Sequence, residues 1–150
     1  MTLWRISNHR NLDGAGGLRA SGRWHTRGCR IIYYCENPAT ALLEILANLG
    51  TDVVDLPVGY TLLKIEAPQG ISKSQVGPSS LPIDWSEQES VSREIGDEWL
   101  RKCETALLRV PTALVPESWN ILINPLHPES ALLRIVETIE YPFDKRLIKR

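Results

Sequence analysis

Residues 19–50, RASGRWHTRGCRIIYYCENPATALLEILANLG, predict a loop, a buried strand, a tight turn and an amphipathic helix in direct succession. The run IIYYC at 31–35 is short, β-branched and aromatic, which is typical of a covered strand. Asn37 and Pro38 suit the N-cap and the first position of a helix, and Gly50 suits its end. Because elements joined by short connections usually lie side by side, these three elements can bring their side chains together.

Three side chains of this stretch are candidates for a shared site: Arg23 in the loop, Tyr33 in the strand and Glu44 in the helix. The apolar positions at helical spacing, which we expect to face the core, are Ala39, Leu42, Leu43, Leu46 and Leu49. Glu44 lies off this stripe, on a flank where a glutamate is usually solvated. Tyr33 and Tyr34 must point to opposite faces of the strand, so one can pack in the core while the other lines a cleft.

Composition predicts one soluble globular domain over residues 1–150, with a core at about 3–143 and a frayed basic tail at 144–150. The net charge of -1 argues against a general nucleic-acid binder. The N-terminus lacks the apolar segment of a signal peptide, and no run approaches the roughly 20 apolar residues of a membrane span. A cytoplasmic location is therefore expected. The three cysteines have no zinc-ligand spacing and favour reduced thiols without a metal.

The N-terminal segment contains a further arginine and a long polar loop. Arg5 lies within a predicted strand at 3–6, and is either an exposed edge-strand residue or a ligand contact. The loop at 7–22 is rich in glycine but is not a dinucleotide fingerprint, since a strand rather than a helix follows it. Its glycines could still allow backbone to approach a phosphate, beside which Arg23 would be a bidentate clamp. His25 has no partner histidine at ligand spacing, so we expect no metal there.

The C-terminal two thirds predict further strands around one helix. The strands are expected at 53–66 (one or two), 81–85, 106–115, 120–125 and 134–143, and the helix at about 91–103 with Ser90 or Ser92 as a cap. Thr112 follows the bend at Pro111 and could present its hydroxyl, although a strand role explains a threonine equally well. Asn124 and His127 either line a cleft or simply form the turn that their prolines favour. Six to eight strands with two clear helices predict an α+β domain.

Several motifs in order resemble the RES domain family over about residues 3–141. They are LWRI, GLRASGRWHTRG, IIYY, NPATALLE, IGDEWL, LLRVPTALVP and NILINPLHP. The resemblance implies a fold similar to that of ADP-ribosyltransferase toxins. It also implies a bacterial toxin that consumes NAD by cleaving the nicotinamide–ribose bond.

The resemblance assigns roles by position. The family arginine, tyrosine, helix glutamate and N-terminal arginine fall on Arg23, Tyr33, Glu44 and Arg5. The family serine falls on Thr112, and His25 stands where the family often has asparagine. By this resemblance the catalytic group is Glu44, Arg23 and Thr112, and NAD is held by Arg5, Arg23, Tyr33 and Thr112. Further candidates for residues that line the cleft are His25, Asn124 and His127.

The implied chemistry needs no cofactor or metal, because NAD is the substrate and water or inorganic phosphate is the acceptor. Arginines hold the pyrophosphate, a tyrosine face stacks the nicotinamide, and a carboxylate stabilises an oxocarbenium-like state. The implied partner is an Xre-type helix-turn-helix antitoxin that blocks the cleft, so DNA is contacted only through it. A dimer within a larger complex is left open. One alternative is ADP-ribosyl transfer to a protein. The other is a catalytically weakened binding module, which is suggested by Thr112 at the position of the family serine.

Overall fold

The computed structural model describes residues 1–49 and 58–148, which form one mixed sheet with helices packed against it. The strands are β1 (Thr2–Ile6), β2 (Ile32–Cys35), β3 (Gly59–Glu66), β4 (Lys73–Gln75), β5 (Leu107–Pro111), β6 (Trp119–Ile123) and β7 (Arg134–Pro142). The helices are α1 (Pro38–Asn48), α2 (Glu89–Lys102) and the short α3 (Lys145–Ile148). The expected α+β class is therefore confirmed.

The sheet order is β4-β5-β6-β2-β1-β3-β7, and all neighbours are antiparallel except β4 and β5. β1 pairs with β3 along its whole length, from Thr2 with Glu66 to Ile6 with Leu62. Its pairing with β2, by contrast, consists of the single position Trp4–Cys35. The sheet is thus two well-paired halves that separate on either side of one bridge.

Each face of the sheet carries its own apolar core, because successive strand residues point to opposite faces. In β6, Ile121 and Ile123 pack with Leu3 and Tyr34 in the first core. Leu122 packs on the opposite face, in the second core. That second core is completed by Leu108 and Val110 of β5, by Trp99 of α2, and by the loop residues Trp24, Ile31 and Leu81. The second face is the one that α2 covers.

The start of α1 is as predicted, but the face that it buries is not. The Asn37 side chain accepts a hydrogen bond from the Thr40 N–H at 2.7 Å, and Pro38 is the first helical residue. The residues buried in α1 are Thr40 and Ala41, whereas Leu43 is 43% exposed. The helix therefore turns the Glu44 flank inwards, over an open cleft rather than a closed apolar core. The predicted end at Gly50 lies outside the described residues.

Other element predictions needed correction. The predicted strand at 81–85 is wrong: only a 3₁₀ turn forms at Trp85–Glu87, and Ile83 is fully exposed beside Pro82. Helix α2 starts at Glu89, two residues before the predicted start. Ser92 is not its cap but donates to the Arg23 carbonyl at 2.6 Å.

The C-terminal segment is helical at Lys145–Ile148 instead of frayed, since Asp144 accepts from the Arg146 N–H at 2.9 Å. The predicted strand at 53–66 is observed as β3, and its residues 53–57 lie outside the described part of the chain. Strand β4, between β3 and α2, was not predicted. No helix among residues 1–49 and 58–148 has the length and apolar character needed to cross a bilayer.

Candidate active site

A cleft of about 640 Å³ opens where β1 and β2 separate, and α1, the loop at 21–23 and the start of α2 complete its walls. Arg5, Arg23, Tyr33 and Glu44 all line it. The structure therefore brings together four of the predicted residues, from two strands, a loop and a helix. Three arginines and two glutamates line the cleft, so its charged groups carry a net positive charge that favours an anionic ligand.

The Glu44 carboxylate is held in a fixed orientation. Its Oε1 accepts a hydrogen bond from Asn120 Nδ2 at 2.9 Å, and Asn120 Oδ1 in turn accepts from the Cys35 thiol at 3.2 Å. Burial, together with the nearby charge of Glu44, raises the pKa of Cys35 to about 12, so the thiol keeps its proton. The thiol proton orients the Asn120 amide, and the amide N–H then faces Glu44.

Asn120 was missed by the sequence analysis. It lies in the otherwise apolar strand WNILI and is only 8% exposed. Asparagine is depleted in strands and costly to bury without partners. Its presence in a buried strand is the signal that would have pointed to a polar site.

Tyr33 is the cleft tyrosine, and its neighbour Tyr34 packs in the first core. The Tyr33 hydroxyl accepts from the Trp24 N–H at 3.1 Å and lies 2.8 Å from His25 Nδ1. His25 Nε2 faces the Gly17 carbonyl at 3.3 Å, so the contacts assign the proton to Nε2 and leave Nδ1 as the acceptor of the tyrosine proton. Burial raises the pKa of Tyr33 above its usual range, so it is a neutral donor. His25 is thus a buried support for Tyr33.

Glycine is required at position 22 for the loop to pass Tyr33. A Cβ atom there would lie 2.4 Å from the Tyr33 hydroxyl oxygen. The Gly22 N–H also donates to the His25 carbonyl, at 3.1 Å, which closes a tight turn. This turn places Arg23 at the mouth of the cleft.

The two predicted arginines have different supports. Arg23 Nη1 donates to the Ser86 carbonyl at 2.8 Å, and its guanidinium lies 5.9 Å from the centre of the Trp85 ring. Arg5 lies 5.8 Å from the centre of the Tyr34 ring. Burial raises the pKa of Tyr34 to about 12, and the positive charge of Arg5 opposes that rise. Arg5 thus lines the cleft from strand β1, and Arg23 lines it from the loop at 21–23.

The remaining predicted residues lie outside the cleft lining. Thr112 is buried, and its hydroxyl oxygen accepts from the N–H groups of Leu114 and Val115, at 3.0 and 3.2 Å. This bonding shapes the loop whose Ala113 and Leu114 do line the cleft. The contacts of Thr112 are therefore those of a loop support.

Asn124 and His127 both stabilise the turn after β6. The Asn124 side-chain oxygen accepts from the Leu126 N–H at 3.1 Å, and its carbonyl accepts from the Ser130 hydroxyl at 2.6 Å. His127 Nδ1 accepts from the Glu129 N–H at 3.1 Å. The hydrogen bond of His127 is that of turn formation, whereas Asn124 combines its turn bonds with a place in the lining of a second depression beside α2. Among residues 1–49 and 58–148, no group of three or more His, Cys, Asp or Glu side chains is arranged to hold a metal ion.

Comparison with known proteins identifies the class of protein. The family model of the RES domain matches residues 2–144, so the chain belongs to the RES domain family. "Toxin Res" of Pseudomonas putida is 41% identical over 147 residues, covering 98% of this chain and 99% of that protein. The "Prs ADP-ribosylating toxin" of a Sphingobium strain is 33% identical, covering 99% of this chain and 98% of that protein.

A solved structure confirms the expected fold. A chain of the M. tuberculosis MbcT–MbcA toxin–antitoxin complex superimposes with a TM-score of 0.77, covering 94% of this chain and 84% of that chain. The identity is 18%, so this likeness concerns the fold alone. The domain therefore shares its fold with this chain of the complex and, by the family match, is a RES domain, as its motifs predicted.

Proposed function

We propose that this protein is the toxin of a toxin–antitoxin pair and that it depletes NAD by cleaving the nicotinamide–ribose bond. The observation that carries the proposal is the oriented carboxylate of Glu44 in a cleft that arginines border. Relatives named as toxins, matched over nearly their whole length, support the biological role. The arginines suit the dianionic pyrophosphate of NAD, and the carboxylate of Glu44 suits its cationic nicotinamide ribose.

In the proposed reaction, Arg5 and Arg23 hold the pyrophosphate and the Tyr33 ring lines the nicotinamide end. The C–N bond breaks, its electron pair passes to the ring nitrogen, and neutral nicotinamide leaves. The positive charge left on the ribose faces the carboxylate of Glu44, which stabilises it electrostatically. An oxygen of water or of inorganic phosphate then bonds to the anomeric carbon, and the acceptor's proton is lost to solvent. The reaction uses no cofactor.

Purified protein without an antitoxin would test this proposal when incubated with NAD, with and without phosphate. If the release of nicotinamide requires phosphate, the enzyme is a phosphorylase. If nicotinamide is released without phosphate and ADP-ribose is the product, the enzyme is a hydrolase. Glu44→Gln should abolish release and relieve growth arrest. Glu137→Gln, an exposed glutamate on the distant edge strand β7, is the matched control and should leave both unchanged. Retained toxicity with soluble Glu44→Gln protein would contradict the role given to Glu44.

A second candidate is ADP-ribosyl transfer to a protein, which the name of the 33% identical relative favours. The same cleft residues would serve, with a protein side chain as the acceptor. Labelled NAD incubated with a cell lysate separates the two activities, because transfer leaves the label on protein while hydrolysis or phosphorolysis leaves it on a small molecule.

The proposed partner is a cognate Xre-type helix-turn-helix antitoxin that occupies the cleft, and the proposed location is the cytoplasm. The third alternative, a weakened binding module, rested on threonine in place of serine. The Thr112 hydroxyl makes two backbone hydrogen bonds that a serine could equally make. The identity of this residue is therefore no evidence for lost activity.

A further inference from the structure

Two guanidinium groups share one carboxylate at the mouth of the cleft. Arg93 Nη2 lies 2.8 Å from Glu89 Oε2, and Arg23 Nη2 lies 3.9 Å from Glu89 Oε1. All three residues line the cleft, and their side chains are 30–48% exposed. Neither Arg93 nor Glu89 belongs to the motifs that assigned the other cleft residues. This arrangement is therefore an unassigned feature of the site.

Each guanidinium is also held by a backbone carbonyl, independently of Glu89. Arg23 Nη1 donates to the Ser86 carbonyl at 2.8 Å, and Arg93 Nε donates to the Gly22 carbonyl at 2.8 Å. The two cations are consequently placed by the chain itself. Removal of the carboxylate would leave both in position, with the N–H groups that now face it directed at the cleft.

The charge at this point is not balanced, since two positive groups face one negative group. Glu89 is the first residue of α2 and is about half exposed, so its side chain can rotate into solvent at little cost. A diphosphate has two negative charges and oxygens whose spacing suits guanidinium forks. Such a ligand should displace the single carboxylate.

We propose that Arg93 joins Arg23 and Arg5 in binding the diphosphate of the substrate, and that Glu89 is an internal anion that competes with it. This inference rests on the proposed function, because it names the part of a dinucleotide that the site takes. It adds Arg93 on α2 as a ligand-binding residue. It also adds Glu89 as a carboxylate that lowers the affinity for any ligand that lacks the negative charge to displace it.

A purely structural role for Glu89 predicts a different result. Glu89 lies in the first turn of α2 and pairs with Arg93 four residues on, which stabilises a helix. On that account Glu89→Gln would lower the thermal midpoint slightly and leave ligand affinity unchanged. On our proposal the same variant binds diphosphate ligands more tightly.

The test uses titration calorimetry with ADP-ribose, and the KM and kcat of nicotinamide release from NAD. Loss of one charge-assisted contact in Arg93→Gln should weaken ADP-ribose binding and raise KM by about tenfold, with kcat nearly unchanged. Arg93→Lys should recover part of the loss. Glu89→Gln should lower KM several-fold. Arg101→Gln is the matched control, since Arg101 lies on the same helix, is 72% exposed and is outside this cleft.

The outcomes separate the two proposals. Equal ADP-ribose affinity in wild type and Arg93→Gln, with nicotinamide still released, would overturn the diphosphate site and leave the proposed function standing. Unchanged affinity in Glu89→Gln would overturn the competing anion. Folded wild-type protein that binds ADP-ribose but releases no nicotinamide would instead refute the proposed function. No binding of ADP-ribose to wild type would overturn the site.

Discussion

Replacing Gly96 with alanine should open the contact between α2 and the loop that carries Arg23. A Cβ atom at Gly96 would lie 1.6 Å from the Trp24 carbonyl oxygen and 2.7 Å from its carbon. Real Cβ atoms stay at least 3.0 Å from such neighbours, so the helix would have to withdraw by about 1.4 Å. Both obstructing atoms belong to the backbone, which cannot rotate away as a flexible side chain can.

The cost of this shift follows from the neighbouring contacts. Over-packing of this kind costs about 1–3 kcal/mol. The hydrogen bonds from Ser92 to the Arg23 carbonyl and from Arg93 to the Gly22 carbonyl would also lengthen, at about 1 kcal/mol each. The better helix propensity of alanine returns about 1 kcal/mol. We expect a net loss of roughly 3 kcal/mol in the free energy of unfolding.

Thermal and denaturant unfolding would measure this effect. For a domain of this size a loss of roughly 3 kcal/mol lowers the Tm by about 6–12 °C. NAD turnover should fall as well, since α2 and the loop both border the cleft. Gly16→Ala is the control, because nothing lies within 4 Å of its added Cβ atom. A Gly96→Ala protein whose Tm stays within about 2 °C of wild type would show that α2 does not press on the loop as described.

Three further predictions concern Asn120, Thr112 and the cysteines. Asn120→Ala removes the donor that orients the carboxylate of Glu44 and should lower kcat about 10- to 100-fold. An unchanged kcat would mean that Asn120 is not the group that orients Glu44. Thr112→Ser should keep wild-type turnover and Tm, whereas Thr112→Val, which loses two backbone hydrogen bonds, should cost about 1–2 kcal/mol of stability. At pH 8, a maleimide should label exposed Cys29 and spare buried Cys35, whose pKa of about 12 keeps it protonated; rapid labelling at Cys35 would contradict its burial.

Local signals in the sequence predicted the elements around the site well. The Asn37–Pro38 pair located the start of α1 because a cap and a fixed φ angle act within one turn. The run at 31–35 located β2 because β-branched and aromatic residues fit a covered sheet. The order of these elements was enough to expect Arg23, Tyr33 and Glu44 in one place.

Features that depend on distant contacts could not be predicted. The inward face of α1 mixes polar and apolar residues, such as Thr40, Glu44 and Ile45, because it borders a cleft. A rule that only apolar residues face inwards therefore selected Leu43 instead. β4 is a strand because it pairs in parallel with β5, which is 34 residues away at Ser74–Leu108. The contacts of Asn120 with Glu44 and of Arg93 with Gly22 span 76 and 71 residues. No short sequence window contains both partners.

The single pairing between β1 and β2 leaves a weakly paired seam within the sheet. Both strands are interior by their order, yet along the described strands their register meets at Trp4–Cys35 alone. Amide protons that face this seam away from the bridge should exchange with solvent as fast as those of edge strands. The two half-sheets can also tilt about this point while their own ladders stay intact. A ligand that draws the walls of the cleft together would thus deform the backbone at almost no expense in broken hydrogen bonds.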